Sequence, residues 1–181
     1  MIELLDHAEL GKRTRAVVRD VPDFPQPGIL FKDITPVLAD RTLFKDLIVH
    51  FASVHRPQNI DVVVGIESRG FIFGAPLALE LGAGFVPIRK PAKLPYKSVR
   101  VNYSLEYGKD ALEAHEDAIT PGQRTLVVDD VLATGGTASA AIRLVQQLGG
   151  EVAAVCFLIE LGFLEGRAKL PDLPVHALVQ Y

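Results

Sequence analysis

The stretch that most constrains the fold is residues 125–138, where a short apolar run, two carboxylates and a loop of small residues follow one another. The run at residues 126–128 is apolar and rich in β-branched side chains, which is typical of a strand buried on both faces of a parallel sheet. Asp129 and Asp130 end that run, and a helical pattern begins after the loop of residues 133–137. Because ligands bind beyond the carboxyl ends of the strands in an open parallel sheet, this order predicts a binding loop there.

The loop has the composition of a phosphate cradle. Glycines let the backbone approach a ligand closely and adopt positive φ angles. The N–H groups of the loop and of the first turn of the following helix favour an anion, and the threonine hydroxyls add further donors. We therefore predict phosphate binding by Ala133, Thr134, Gly135, Gly136 and Thr137.

The two carboxylates restrict what else the ligand carries. Asp129 and Asp130 would repel a bare phosphate, so they indicate a ligand that also presents hydroxyl groups or hydrated Mg²⁺. A phosphorylated ribose combines these groups. Neither a Walker A sequence nor a G-x-G-x-x-G fingerprint is present in the stretch. An ordinary strand–loop–helix turn, tightened by its glycines, is the structural alternative.

Two further predicted strands bring charged residues to the same edge of the sheet. The strand at residues 61–66 leads into Arg69 on a loop bounded by glycine. The strand at residues 84–88 is followed by basic side chains, namely Arg89, Lys90 and Lys93. Cations from two strand ends and carboxylates from a third suit a ligand with two separated phosphate groups and a metal between them. The alternatives are a surface salt bridge for Arg69 and a solvated basic face for the others.

The remaining elements complete an alternation of helices and strands. Helices are expected at residues 6–18, 41–55, 75–81, 138–148 and 161–170, and further strands at residues 152–159 and 175–180. Such alternation predicts an α/β fold with a parallel sheet and right-handed crossovers. Residues 22–28 hold three prolines and predict an irregular connector, and the apolar residues after it are candidates to cover a flat ligand.

A long segment between the third strand and the central strand is expected to move. Residues 93–108 have β-prone side chains but weak core character and many charges, which predicts an exposed hairpin or a mobile flap. Glu106 is the carboxylate that such a flap would carry into a closed site, and an ordinary exposed glutamate is the alternative. Residues 110–118 are expected to form a short acidic segment.

The histidines and the single cysteine give no sign of a metal site. Cys156 lies in an apolar strand and is expected to be a buried, inert thiol. No acid or cysteine stands at ligand spacing from a histidine, so His50 and His55 are expected on the solvated side of their helix. The remaining histidines are equally isolated in the sequence, namely His7, His115 and His176. No transition-metal site is predicted.

Composition excludes several functional classes. With 181 residues, 49% hydrophobic and 23% charged, the chain is expected to form one soluble globular domain. A net charge of −3 gives no reason to expect nucleic-acid binding. The N-terminus has no apolar signal segment, no run is long enough to span a membrane, and one cysteine fits a reducing compartment. A cytoplasmic location is therefore expected.

Residues 128–137 resemble the motif with which type I phosphoribosyltransferases bind phosphoribosyl pyrophosphate (PRPP). A closer resemblance, to the adenine-specific members of that family, covers the chain from about residue 24 onwards. It rests on residues 24–36, 67–74, 88–95, 103–108, 128–137 and 160–164. The family implies a central, mostly parallel sheet flanked by helices in a single domain of residues 1–181. It also implies a small N-terminal hood at about residues 1–36 and a mobile flap at about residues 93–108.

The resemblance implies a reaction as well as a fold. Members of the family transfer the 5-phosphoribosyl group of PRPP to adenine and release AMP and pyrophosphate, which serves purine salvage. The reaction uses Mg²⁺, which would be held mainly by PRPP and water rather than by a dedicated set of protein ligands. The family also implies a homodimer whose active sites lie near the interface.

Each matching residue receives an implied role. The catalytic residues would be Glu106, which exchanges a proton with the base, and Asp129 and Asp130, which contact the ribose hydroxyls. Tyr107 would stand beside Glu106 in the flap, and the loop of residues 133–137 would hold the 5-phosphate. Pyrophosphate would be bound by Glu67, Ser68, Arg69, Arg89, Lys90 and Lys93, and adenine by Ile29, Leu30, Phe31, Lys32 and Leu161. A non-proline cis peptide bond is implied between Glu67 and Ser68.

Two rival functions are distinguished by features of the sequence. A 6-oxopurine phosphoribosyltransferase would need a hydrogen-bond donor, usually a lysine, against O6 of its base. Residues 161–164 offer no lysine, which favours adenine. A PRPP-sensing regulator that binds nucleic acid would need a basic face or an added helix-turn-helix module. This acidic chain has no spare length for such a module.

Overall fold

The computed structural model describes residues 6–105 and 108–181, and within these ranges the chain divides into two compact units, Met1–His50 and Phe51–Tyr181. The elements of the first unit are α1 (His7–Val17), β1 (Arg19–Pro22), β2 (Leu30–Asp33), α2 (Thr35–Ala39) and most of α3 (Arg41–His55). Across the described residues, no helix combines the length and the apolar character that crossing a membrane requires.

The first unit contains a hairpin that the sequence analysis did not predict. β1 and β2 pair antiparallel, with Pro22 opposite Leu30, and the proline-rich segment forms the connection between them. Each strand has only four residues, too few to show an alternating pattern. Asp40 begins α3, because its Oδ1 atom accepts hydrogen bonds from the backbone N–H groups of Thr42 and Leu43.

The second unit is built on a parallel sheet. Its strands are β3 (Val62–Ile66), β4 (Gly84–Ile88), β7 (Arg124–Leu132), β8 (Glu151–Glu160) and β9 (Val175–Gln180). They lie side by side in the order β4-β3-β7-β8-β9, and every neighbouring pair is parallel. The helices α4 (Arg69–Leu81) and α5 (Gly136–Gln147) pack against the sheet, so the predicted α/β fold is confirmed.

β7 is longer than the sequence indicated. It continues to Leu132, so Asp129 and Asp130 lie inside the strand and not at its end. β3 pairs with β7 only as far as Val128, whereas β8 accompanies β7 to Leu132. The two carboxylates therefore stand at the step where β7 extends past its shorter neighbour, which is the edge that the sequence analysis indicated.

The segment between β4 and β7 forms a hairpin with a buried face. Its strands are β5 (Ser98–Leu105) and β6 (Gly108–His115), which pair antiparallel. Val101, Tyr103 and Leu112 are buried in a core cluster shared with α5 and the sheet. The expectation of weak core character was wrong, as was that of a separate acidic segment at residues 110–118. β6 is buried continuously from Ala111 to Ala114, including the charged Glu113, so its apolar residues alone understate the buried face.

Three other expectations also need correction. Residues 161–170 form two short 3₁₀ helices, Gly162–Leu164 and Gly166–Lys169, instead of one α-helix. His50 and His55 are buried, with 7% and 1% of their surface exposed, so neither lies on a solvated side. Nor are the histidines isolated. The His50 ring lies 5.3 Å from that of His7, and the His55 ring lies 5.6 Å from that of His176.

Candidate active site

The candidate site lies in the second unit, at the carboxyl ends of three adjacent strands. β4, β3 and β7 are parallel neighbours, so the loops that follow them leave the sheet at the same edge. The loop after β3 is tied to the end of β4, because the Glu67 N–H group donates to the Ile88 carbonyl at 2.9 Å. These three strand ends carry most of the residues that the sequence analysis singled out.

The first turn of α4, which follows β3 after Glu67 and Ser68, approaches β7 closely. A Cβ atom on Gly70 would lie 2.6 Å from the Val128 carbonyl oxygen and 3.1 Å from the Asp129 carboxylate, so only glycine fits there. The peptide bond between Glu67 and Ser68 is cis, as the family resemblance implies. Arg69 and Gly70 begin α4, so the expectation that Arg69 lies on a loop was wrong, and Gly70 was not among the predicted site residues.

Arg69 of α4 and Asp130 of β7 form an ion pair where these two elements approach each other. Arg69 Nε donates to Asp130 Oδ2 at 2.5 Å, and the Asp130 side chain is only 5% exposed. The family resemblance implies that Arg69 binds the pyrophosphate and that Asp130 contacts the ribose. The structure brings them together, so the guanidinium and the carboxylate hold each other in position at the strand edge.

The surroundings of Asp129 change the proton affinity of its carboxyl group. Burial, and secondly the negative charge of Asp130, raise the pKa of Asp129 well above its ordinary value. The Asp130 N–H group also donates to Asp129 Oδ1 at 2.9 Å. Asp129 therefore keeps its proton to higher pH than an exposed aspartate does.

The Glu67 carboxylate contacts three of the basic residues that the sequence predicted for the site. Its carboxylate accepts hydrogen bonds from Lys93 Nζ at 2.6 Å, from the Lys90 N–H group at 2.9 Å and from Arg89 Nη2 at 3.4 Å. Burial acts to raise the pKa of Glu67, but these bonds, that of Lys93 foremost, outweigh it and lower the pKa to about 2. Glu67 is therefore ionised at neutral pH, and it positions the basic residues beyond β4.

Lys90 is held by residues of the hairpin that the sequence analysis did not identify. Its Nζ atom donates to the Tyr103 hydroxyl at 2.7 Å and to the Asp110 carboxylate. Burial alone would lower the pKa of Lys90, but the bonds to Asp110 and Tyr103 outweigh it and raise that pKa. Lys90 therefore stays charged. Neither partner could be found from the sequence, because the contact depends on how β5 and β6 pack beside β4.

The glycine-rich loop is shaped by a contact with a distant turn. Gly135 has a φ angle of +77°, and a Cβ atom there would overlap the Gly166 carbonyl oxygen. In turn, a Cβ atom on Gly166 would overlap the Ala133 carbonyl oxygen. The loop is thus pressed against the second 3₁₀ helix, and α5 begins directly after Gly135, at Gly136. Thr134 and Thr137 remain partly exposed, so their hydroxyls are accessible to a ligand.

The predicted base-binding residues lie in both units. In the second unit, Leu161 follows β8, and its N–H group donates to the Leu132 carbonyl at the end of β7. In the first unit, Ile29 and Leu30 are exposed, Phe31 is partly buried, and Lys32 Nζ donates to Asp20 at 2.6 Å. Glu106 and Tyr107, predicted for the flap, lie outside the described residues.

The edge of this parallel sheet combines a small-residue loop at a helix N-terminus, two adjacent carboxylates and a cluster of cations. These features together indicate a phosphoribosyltransferase. A family model described as the phosphoribosyl transferase domain matches residues 38–172. Adenine phosphoribosyltransferase from Myxococcus xanthus is 63% identical over 166 residues, covering 92% of this chain and 90% of its own. The enzyme from Acidobacterium capsulatum is 60% identical and covers 92% of each chain. The crystal structure of adenine phosphoribosyltransferase from Rhodothermus marinus has a TM-score of 0.92 at 54% identity, covering 96% of this chain and 99% of its own.

The chain therefore belongs to the adenine phosphoribosyltransferase family. This membership confirms the family that the sequence motifs indicated. It disfavours the nucleic-acid-binding regulator, since the named relatives are enzymes.

Proposed function

We infer that the protein transfers the 5-phosphoribosyl group of PRPP to adenine, giving AMP and pyrophosphate in purine salvage. The observation that carries this inference is the edge of β7, where the carboxylates of Asp129 and Asp130 precede the loop of residues 133–137. A phosphate cradle beside two carboxylates suits a phosphorylated sugar with free hydroxyls. The names of the closely similar relatives specify the base as adenine.

The ribose 5-phosphate is proposed to bind in the loop of residues 133–137. The N–H groups of the loop and of the first turn of α5 donate to the phosphate, and the two threonine hydroxyls add donors. Asp129 and Asp130 contact the ribose hydroxyls. Their negative charge stabilises the positive charge that develops on the ribose as the bond to pyrophosphate breaks.

The pyrophosphate is proposed to bind the cations beyond β3 and β4. Arg69, Arg89, Lys90 and Lys93 neutralise the charge that accumulates on the leaving group. Glu67 and Ser68 complete the proposed pyrophosphate-binding residues, and the Glu67 carboxylate also holds the last three of these cations in place. Of these, Arg69 is 44% and Lys93 is 47% exposed at the side chain, so a ligand can reach them without unfolding the loop.

Mg²⁺ is the proposed cofactor, and the donor chemistry of the site fits it. Mg²⁺ prefers oxygen ligands and keeps several water molecules, which suits carboxylates that bind those waters or the ribose hydroxyls. PRPP and water would hold the metal, and the oxygens of Asp129 and Asp130 would contact the ribose hydroxyls or those waters. When bound with PRPP, the metal helps to neutralise the departing pyrophosphate.

Residues 29–32 and Leu161 are proposed to bind the base, with Glu106 exchanging a proton with it and Tyr107 beside Glu106. Residues 1–36 would act as a hood over the base, and residues 93–108 would close as a flap within the same domain. Closure excludes water, which would otherwise attack the activated ribose. A 6-oxopurine is disfavoured because residues 161–164 provide no lysine to donate to O6.

A homodimer in the cytoplasm is the proposed state of the protein. One apolar face of α4 supports dimerisation, since Ile72 and Leu79 stand seven residues apart and are 39% and 84% exposed. The buried thiol of Cys156, the single cysteine of the chain, is compatible with a reducing compartment.

A panel of bases tests the proposed reaction. The purified protein is incubated with PRPP and Mg²⁺, and adenine, guanine, hypoxanthine and xanthine are offered separately while nucleotide formation is followed. We expect AMP from adenine and no nucleotide from the other bases. IMP, GMP or XMP would overturn the assignment of the base while keeping the PRPP site. No nucleotide from any base, with PRPP still bound, would overturn the transferase activity itself.

A further inference from the structure

A cluster of metal-ligating side chains lies in the second unit, among residues to which the proposed transfer reaction gives no role. It comprises His55 at the end of α3, Cys156 in β8 and His176 in β9. Cys156 and His176 are register partners in parallel strands, so their side chains emerge next to each other on one face of the sheet. Cys156 Sγ and His176 Nδ1 are 4.0 Å apart. Each of the three residues offers one ligand atom, and these atoms all lie within 4.8 Å of one another.

The His55 ring is oriented as a metal ligand requires. Its Nδ1 atom lies 3.2 Å from Gln58 Oε1, an acceptor, so Nδ1 carries the proton and Nε2 keeps the lone pair. Histidine ligands of metals commonly donate their second ring nitrogen to an oxygen in this way. His55 is 1% exposed, and its Nε2 atom has no hydrogen-bond partner among the residues that the structure describes. A buried polar atom without a partner is unfavourable, and a bound cation would satisfy it.

The protonation states agree with this orientation. Burial lowers the pKa of His55, so its imidazole is neutral and its lone pair is available. Burial also raises the pKa of the Cys156 thiol, which therefore keeps its proton until a cation displaces it. His176 is partly exposed, which gives an ion and a water molecule access to the cluster from solvent.

We propose that His55, Cys156 and His176 bind a transition-metal cation that prefers thiolate and imidazole ligands, with Zn²⁺ as the probe. A tetrahedral Zn²⁺ with ordinary bond lengths separates a sulfur and a nitrogen ligand by about 3.6 Å. The 4.0 Å between Cys156 and His176 needs only a small contraction to reach that value. Water fills the fourth position, as it does in zinc sites with three protein ligands.

The binding step conserves charge and electrons. The S–H bond of Cys156 breaks, its proton passes to solvent, and a sulfur–zinc bond forms. His55 and His176 each donate one nitrogen lone pair, and no group is oxidised or reduced. The Mg²⁺ that accompanies PRPP does not compete for this cluster, because Mg²⁺ prefers oxygen ligands. Metal binding would join the end of α3 to β8 and β9, so it is expected to raise the melting temperature.

Cobalt spectroscopy tests the proposal independently of catalysis. Metal-free protein is titrated with Co²⁺, which takes the place of Zn²⁺ and absorbs strongly when a thiolate is bound. We expect a sulfur-to-cobalt charge-transfer band in the near ultraviolet that saturates at one equivalent and disappears when Zn²⁺ is added. A wild-type protein that gives no such band would overturn the proposal, whatever the variants do.

Variants then assign the ligands. Cys156→Ser is expected to abolish the band, and His176→Phe to weaken Zn²⁺ binding more than about 100-fold in competition with a chelator. The matched control is His115→Phe, because His115 also has a buried Nε2 without a partner in the described part of the chain but lies outside the cluster. Equal weakening by His115→Phe and His176→Phe would show that Zn²⁺ binds elsewhere and would sink the assignment.

Discussion

Asp130 is the residue at which two parts of the candidate site meet. It lies in β7, and its ion pair with Arg69 connects β7 to the start of α4. Its neighbour Asp129 has a raised pKa, so the two carboxylates are unequal in spite of their identical chemistry. We therefore expect the two carboxylates to differ in how much activity is lost when each is replaced by a neutral amide.

Asp130→Asn is expected to lower kcat/KM for PRPP by about 100-fold, because it removes a charge that stabilises the developing positive charge on the ribose. Asp129→Asn is the matched comparison and is expected to cost less, because Asp130 is the partner in the Arg69 ion pair. Steady-state kinetics and thermal melts of both variants provide the measurement. A collapse of the melting temperature that parallels the loss of activity in Asp130→Asn would instead assign Asp130 a structural role.

Glu67 makes stability depend on pH. Its pKa is about 2 in the folded protein against an ordinary value of 4.5, so the folded state binds this proton less readily than the unfolded state. The stabilisation is complete above pH 4.5 and is lost as the pH falls towards 2. Urea unfolding of wild type and Glu67→Gln at pH 6 and pH 3 should show a smaller difference at the lower pH. A difference that is the same at both pH values would contradict this prediction.

At the scale of elements, the phosphate loop depends on glycine for two separate reasons. Gly135 has a positive φ angle and also faces the backbone of Gly166, whereas Gly122 has a φ angle of +85° with open space around it. Gly135→Ala is therefore expected to raise KM for PRPP more than 10-fold, because the loop must move away from the turn that supports it. Gly122→Ala should show only the backbone cost, roughly 1–2 kcal/mol, with KM unchanged. Equal KM values in the two variants would show that the Gly166 contact does not shape the loop.

The hairpin of β5 and β6 is expected to contribute to stability through its buried face. Leu112 is fully buried, so Leu112→Ala should lower the free energy of unfolding by about 2–5 kcal/mol. Leu112→Met conserves volume and should cost less than about 1.5 kcal/mol. Denaturant titration of the two variants measures both values. If Leu112→Ala left the free energy of unfolding nearly unchanged, the buried face of the hairpin would not contribute to stability.

The elements that sequence patterns predicted well are those whose pattern is local. α3, β4 and β9 have the predicted bounds, because a helical stripe or a continuous apolar run is visible within the segment itself. β6 was missed because most of its buried residues are alanine or charged and because they pack against α5, which lies further along the chain. The same contrast between local patterns and tertiary contacts determines which site residues could be predicted. Asp129, Asp130 and the glycine loop were predictable from adjacent residues, whereas Gly166, Tyr103 and Asp110 join it only through tertiary contacts.

At the scale of the whole molecule, the apolar face of α4 predicts association. Leu79→Glu places like charges on both copies at a two-fold interface and is expected to convert a dimer into a monomer. Phe163→Glu is the control, because Phe163 is also exposed, at 71%, but lies on a different element. Sedimentation velocity distinguishes the two states. A wild-type monomer, or a Leu79→Glu dimer, would contradict the proposed interface.

The strand order of the sheet also determines when it can be completed during synthesis. β3 acquires β4 as a neighbour soon after it is made, but its other neighbour is β7, which begins only at Arg124. On the order of 60 residues separate the two strands, so a ribosome that adds about 5–20 residues per second leaves one edge of β3 unpaired for several seconds. That edge consists of apolar, β-branched residues, which is the kind of surface that promotes aggregation. The nascent chain therefore has a defined interval, between the emergence of β4 and that of β7, in which a chaperone has most to protect.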